Sequence, residues 1–143
     1  MGYRSDVRII VSKKGYNQLK KFNDNYLKTK NIDSSLLDDP DFFHDGKNGV
    51  CIGWNFIKWY EESDFHEVNA IVKGLDDLRD KDMSYRIARI GENYDDYEER
   101  YHESNIEEEQ DIAYPSVIRQ FDDDDIIKEL DYVYSNDLER GDG

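Results

Sequence analysis

The sequence predicts a single α+β domain: a small mixed or antiparallel sheet, two helices packed on one of its faces, and an acidic C-terminal extension that reads as helical. Three observations predict it. Apolar residues alternate with period two in some stretches and recur at helical spacing in others, and the elements run β, α, β, α, β, followed by one more β or α element. The length of 143 residues suits one domain with its own core. Finally, 11 Tyr, 6 Phe and 2 Trp supply large packing groups, although charged residues match hydrophobic ones at 37% each.

From Asp6 to Ser12, Val7, Ile9 and Val11 alternate with Arg8 and Ile10, which predicts a strand with one face more deeply buried than the other. Ser12 offers a helix N-cap, and Tyr16, Leu19, Phe22, Tyr26 and Leu27 then form the apolar stripe of a helix over 13–29. Lys13, Lys14, Lys20, Lys21 and Lys28 occupy its solvated face. Asn31 to Gly49 carries Asp, Pro and Gly with little periodicity, so a long loop with room for one short helical turn is expected. Val50, Ile52, Trp54 and Phe56 alternate, and Ile57 and Trp59 continue on the opposite parity, as a bulged central strand over 50–60 would.

Ser63 or Asp64 can cap a second helix, with Glu67 in its first turn and Phe65, Val68, Ile71, Val72, Leu75 and Leu78 as its buried stripe. Ser84 to Ile90 reads as a third strand, closed by Gly91. Tyr114 precedes Pro115 and should be extended, and Val117 to Phe121 suits an edge strand. Ile126, Ile127, Leu130, Val133 and Tyr134 fit a helical stripe, with Asp122 to Asp125 complementing the positive end of its dipole. A strand over Leu130 to Tyr134 is the alternative.

The net charge of −15 is segregated. Residues 1–91 hold 15 Lys plus Arg against 15 Asp plus Glu and form a neutral core region. Residues 92–143 hold 19 acids against Arg100, Arg119, Lys128 and Arg140, and carry the whole excess. Self-repulsion on that scale disfavours a compact state, so a use for the field is the sharper reading and a solvated acidic face the blander one. Tyr94, Tyr97, Tyr101, Tyr114, Phe121, Tyr132 and Tyr134 lie among these acids, which predicts an ordered surface. The candidate partner-binding residues are therefore Glu92, Asp95, Asp96, Glu98, Glu99, Glu107, Glu108, Glu109, Asp122, Asp123, Asp124 and Asp125.

No catalytic apparatus is legible, and neither a cofactor nor a metal is expected. His44, His66 and His102 fall in separate segments without zinc-site spacing. Cys51 sits between Val50 and Ile52 as a small core residue, and a single cysteine suits a reducing, cytoplasmic setting. There is no Walker-type loop and no Gly-x-Gly-x-x-Gly turn. The acidic runs lack the alternating ligands, central glycine and closing Glu of an EF-hand. Direct nucleic-acid binding finds no clustered cations beyond one lysine-bearing helix face. The polar start, Met1 to Asp6, and the absence of a long apolar run predict neither a signal peptide nor a membrane span.

Met1-Gly-Tyr-Arg-Ser-Asp-Val7, Ile57-Lys-Trp-Tyr60, Arg86-Ile-Ala-Arg-Ile-Gly-Glu92 and Tyr94-Asp-Asp-Tyr-Glu-Glu99 together resemble a family of small, mostly uncharacterised phage and prophage proteins, over roughly residues 1–120. The acidic extension after Phe121 departs from that pattern, and the resemblance brings no catalytic residues. It implies origin more than activity. Small acidic phage proteins often disarm host defence, and many anti-CRISPR and anti-restriction proteins present carboxylates where a nuclease expects phosphates. The expected function is therefore inhibition of a host protein with a basic nucleic-acid-binding groove, such as a Cas nuclease, through a nucleic-acid-mimicking surface. The alternative is a phage accessory or assembly protein whose acidic segment serves only solubility.

Overall fold

A computed structural model describes residues 3–61, 65–93, 95–109, 112–113, 115 and 120–132. The elements are β1 (Ser5–Val11), α1 (Lys13–Thr29), β2 (Phe42–Gly46), β3 (Gly49–Ile57), α2 (His66–Asp80), β4 (Tyr85–Gly91), β5 (Tyr97–His102) and α3 (Asp123–Asp131), with short 3-10 turns at Leu36–Asp38 and Glu107–Glu109. The five strands form one sheet in the order β2-β3-β1-β4-β5, antiparallel at every pairing. No helix among the described residues is long and apolar enough to cross a membrane.

The α+β class and the two-helix layer are as the periodicity predicts. Val7, Ile9 and Val11 of β1, Val50, Ile52 and Trp54 of β3, and Tyr85 and Ile87 of β4 face α1 and α2, which bury Leu19, Val68, Ile71, Leu75 and Leu78 against them. Burying each such side chain contributes about 1.5–3 kcal/mol. The helices approach closely at Gly74, where an added Cβ would lie 2.5 Å from Leu19 Cδ1. Ser12 caps α1 by accepting from the Gly15 amide at 2.9 Å.

Three expectations need correction. The segment 31–49 is not all loop: its 3-10 turn is followed by β2, which pairs with β3 through the turn between Gly46 and Gly49. The strand is masked in the sequence because its apolar residues are only the adjacent pair Phe42 and Phe43, which face opposite sides of the sheet within a polar stretch. Strand β3 ends at Ile57 rather than continuing to residue 60, with the expected bulge just before that end, where the register shifts opposite Ser5 and Val7.

The third correction matters most for function. The second face of the sheet is buried as well, because the acidic C-terminal segment covers it. Ile10 and Cys51 pack with Ile112, Ala113, Ile126 and Leu130, and Phe42 closes the cluster. Burial pushes the Cys51 thiol up to about 12 although Arg8 lies nearby in space, so it stays a protonated core group. The caps proposed at Ser63 and Asp64, and the stripe residues Val133 and Tyr134, lie outside the described residues, as does most of the strand expected at 117–121. Leu130 and Asp131 are helical, and Tyr132 is the extended C-cap.

Candidate functional site

At the centre of the second sheet face stands Arg8, 2% exposed. Its neighbour across the sheet, Gly53, has no side chain, and a Cβ there would lie 2.5 Å from Arg8 Cδ. The guanidinium therefore lies flat on β3. Phe42 and Phe121 rings sit 5.3 and 5.0 Å from it, and it donates to Asp123 through Nε at 2.9 Å and Nη2 at 3.0 Å. Such a two-point bond fixes both partners in orientation. Asp123 opens α3, and the preceding Asp122 caps it by accepting from the Asp125 amide at 3.0 Å. The run of four aspartates thus starts a helix, as dipole complementarity predicts, and one of its members is pinned to the sheet. Of the four, Asp122 and Asp124 are exposed and Asp123 and Asp125 are half-buried.

Glu109 is buried too, at 4% exposure, and accepts from the Ser12 hydroxyl at 2.6 Å, behind the α1 cap. It takes no part in an exposed array. Glu107 of the same turn is exposed, and Glu108 lies between them.

The β4–β5 connection holds a second group. Asp96 accepts from Tyr3 Oη at 2.6 Å and from Arg89 at 3.1 and 2.8 Å, and these bonds hold its carboxyl below the usual carboxylate range, Arg89 contributing most. A side chain at Gly91 would meet both Asp96 and the Tyr3 hydroxyl, so one would displace this bonded pair. Glu98 also reaches Arg89, at 3.2 Å, and remains exposed. Glu92 accepts from the Arg4 backbone amide at 2.5 Å and is likewise exposed, as is Asp95.

On β5 the two-residue period places Tyr97, Glu99 and Tyr101 on the second face, and Glu98, Arg100 and His102 on the helical one. Tyr97 and Tyr101 are 46% and 57% exposed. The Tyr97 hydroxyl, pushed up to about 12 by partial burial and by the bond it donates to Glu99 at 3.1 Å, stays protonated. Among the described residues β5 pairs with β4 alone.

The twelve acids singled out from the sequence therefore do not form one patch. Those at the start of α3 sit over β1, and α3 then runs over β2 and β3. Those around β5 lie at the opposite sheet edge, two strand spacings or about 10 Å from β1. Glu92, Asp95, Glu98, Glu99, Glu107, Asp122 and Asp124 are exposed, Asp122 while also capping α3, whereas Asp96, Glu109 and Asp123 are held by partners within the fold. No group of three or more His, Cys, Asp or Glu among the described residues is placed to hold a metal ion.

Arg8 was visible in the sequence as a cation in an apolar strand, but its partner 115 residues away was not. No family model matches the chain, and neither a curated protein nor a solved structure matches it.

Proposed function

We propose that this domain acts by binding rather than catalysis, inhibiting a nucleic-acid-binding protein of a bacterial host, such as a defence nuclease, by occupying its basic groove in the cytoplasm. The observation that carries the reading is strand β5 with the turn before it, where the exposed Tyr97, Glu99 and Tyr101 share one face of the strand, Glu98 is exposed on the other, and Asp95 is exposed in the turn. Duplex DNA presents one charge per about 1.7 Å of axis, and proteins that bind it draw much of their affinity from neutralising that array. Spaced carboxylates on a rigid strand offer a basic groove similar contacts, and tyrosines supply anchoring area at low entropic cost.

The reading is tested by capture from a bacterial lysate at low salt, with elution by duplex DNA. The parent chain should retain proteins that duplex DNA releases, and the triple variant Asp95→Asn, Glu98→Gln, Glu99→Gln should retain far less. Equal retention by both, or bound protein that duplex DNA leaves in place, would remove the mimic mechanism.

A second reading, a phage accessory or assembly protein, draws on a different observation. Asp96, Glu109 and Asp123 bond to groups within the fold and the exposed Asp122 caps a helix, so part of the acid content is accounted for without any partner.

A further inference from the structure

Next to the β3 bulge, between the loop before β2 and the start of α2, lies a cleft of about 540 Å³ whose character opposes that of the rest of the molecule. Its wall is apolar: Ile32, Leu36, Ile57, Phe65 and Val68. Its polar groups are mainly cationic, Arg4 and Lys58, in a chain of net charge −15. The ion pairs among the described residues engage Arg8, Lys13, Lys20, Arg79, Lys81, Arg89 and Arg100 with carboxylates, but neither cation of the cleft. His66 also lines it, and its Nδ1 is buried without a hydrogen-bond partner among the described residues. Among the described residues Glu67 is the one carboxylate in the lining.

The bulge holds one of these cations in place. Phe56 takes a φ of 54°, a left-handed conformation that costs a bulky residue about 1–3 kcal/mol, while leaving 68% of itself exposed. Asp6 accepts the Phe56 amide at 2.8 Å and fixes the bend. In return the Phe56 carbonyl accepts from Arg4 Nη1 at 3.2 Å, and its ring lies 5.0 Å from the guanidinium. Arg4 is thereby fixed at the cleft with donors to spare, a cation positioned before any ligand arrives.

We propose that this cleft is a second binding site, and that it takes a small amphipathic anion: an apolar or aromatic body against the Ile32, Leu36, Val68 wall and a carboxylate towards Arg4 and Lys58. The volume lies within the range of small-molecule sites, about 300–1,000 Å³. Charge complementarity selects the head group, since a neutral ligand would leave two cations unanswered and a cationic one would meet them directly. The amino end of α2, which begins at His66, adds the positive end of a helix dipole.

Phenylbutyrate, phenylbutanol and phenylbutylamine share one apolar body and differ only in the head group, so they serve as probes. Titration followed by amide chemical shifts should show saturable binding of phenylbutyrate, with shifts centred on Ile32, Leu36 and Val68. Phenylbutanol should bind at least tenfold more weakly, and phenylbutylamine not at all. Lys58→Glu should weaken phenylbutyrate at least tenfold with an unchanged melting temperature, and Arg4→Gln should do so to a similar degree. Equal affinity for the three probes, no saturable binding of phenylbutyrate, or an unaltered affinity in a folded Lys58→Glu variant would each overturn the proposal. So would saturable binding of an acidic peptide without any binding of phenylbutyrate, which would make the cleft a protein contact.

Discussion

The two faces of the sheet are built on different physics. The face under α1 and α2 is closed by aliphatic and aromatic side chains such as Leu19, Ile71, Leu78 and Trp54, with no charge at its centre. The face under α3 has a smaller apolar cluster, and its centre is the bond between Arg8 and Asp123, flanked by Phe42 and Phe121. Apolar burial is non-directional and adds with area. A charged contact in a dry site depends on geometry and loses heavily if one partner goes. An acidic segment attached in the second way is ordered by its own charges, so the carboxylates that remain outside are displayed from a fixed surface.

The sharpest way to break the comparison is a cavity on the helical face. Ile71→Ala or Leu19→Ala should cost about 2–5 kcal/mol in urea unfolding, and the loss should be the same at low and high salt. A loss that shrank with salt would deny that this face is held by apolar contacts.

Next in size is Asp123→Ala, which strands the buried guanidinium of Arg8 and should cost about 2–3 kcal/mol. Replacing both residues by leucine should destabilise less than Asp123→Ala alone, since no unpaired charge is then buried. Additive losses in that cycle would mean the pair is not coupled.

Asp96→Asn is expected to cost about 1–2 kcal/mol near neutral pH, where the carboxylate receives Arg89 and Tyr3. Because the folded-state pKa of Asp96 is lowered, its contribution is complete above the unfolded value of about 3.9 and is lost as pH falls through the lower folded value. Unfolding midpoints of parent and variant should therefore converge in acid. A constant gap down to the most acidic conditions would assign the effect to packing.

Much of the helical face was legible because its residues obey a period: Val7, Ile9 and Val11 along β1, and Val68, Ile71, Leu75 and Leu78 along α2, announce which side is buried. The second face was less so. Arg8 and Ile10 were readable as the shallower side of β1, but both are buried, by Asp123, Phe121, Ile126 and Leu130 brought from more than 100 residues away. Local pattern carries no record of that pairing. The same limit applies to the acids. Their number and position were plain in the sequence, whereas the division between Glu109, buried behind Ser12, and Glu107, exposed in the same turn, depends on a tertiary contact. The sequence places Phe56 in a regular alternation, whereas its outward, left-handed placement comes from the bulge that Asp6 fixes.

The most direct measurement compares two charge-neutralised chains side by side, each followed for melting temperature and for capture of proteins that duplex DNA releases. In Asp95→Asn, Glu98→Gln, Glu99→Gln the exposed acids of β5 and its turn are removed, each such surface change being worth within about 0.5 kcal/mol. That chain should melt as the parent does and capture little. In Asp96→Asn, Asp123→Asn the internal acids are removed, and that chain should melt lower, yet capture as the parent does at temperatures where it is folded. The reverse pattern, a stable second chain without capture beside a first chain that captures fully, would contradict the division of the acids into those that hold the fold and those that meet a partner.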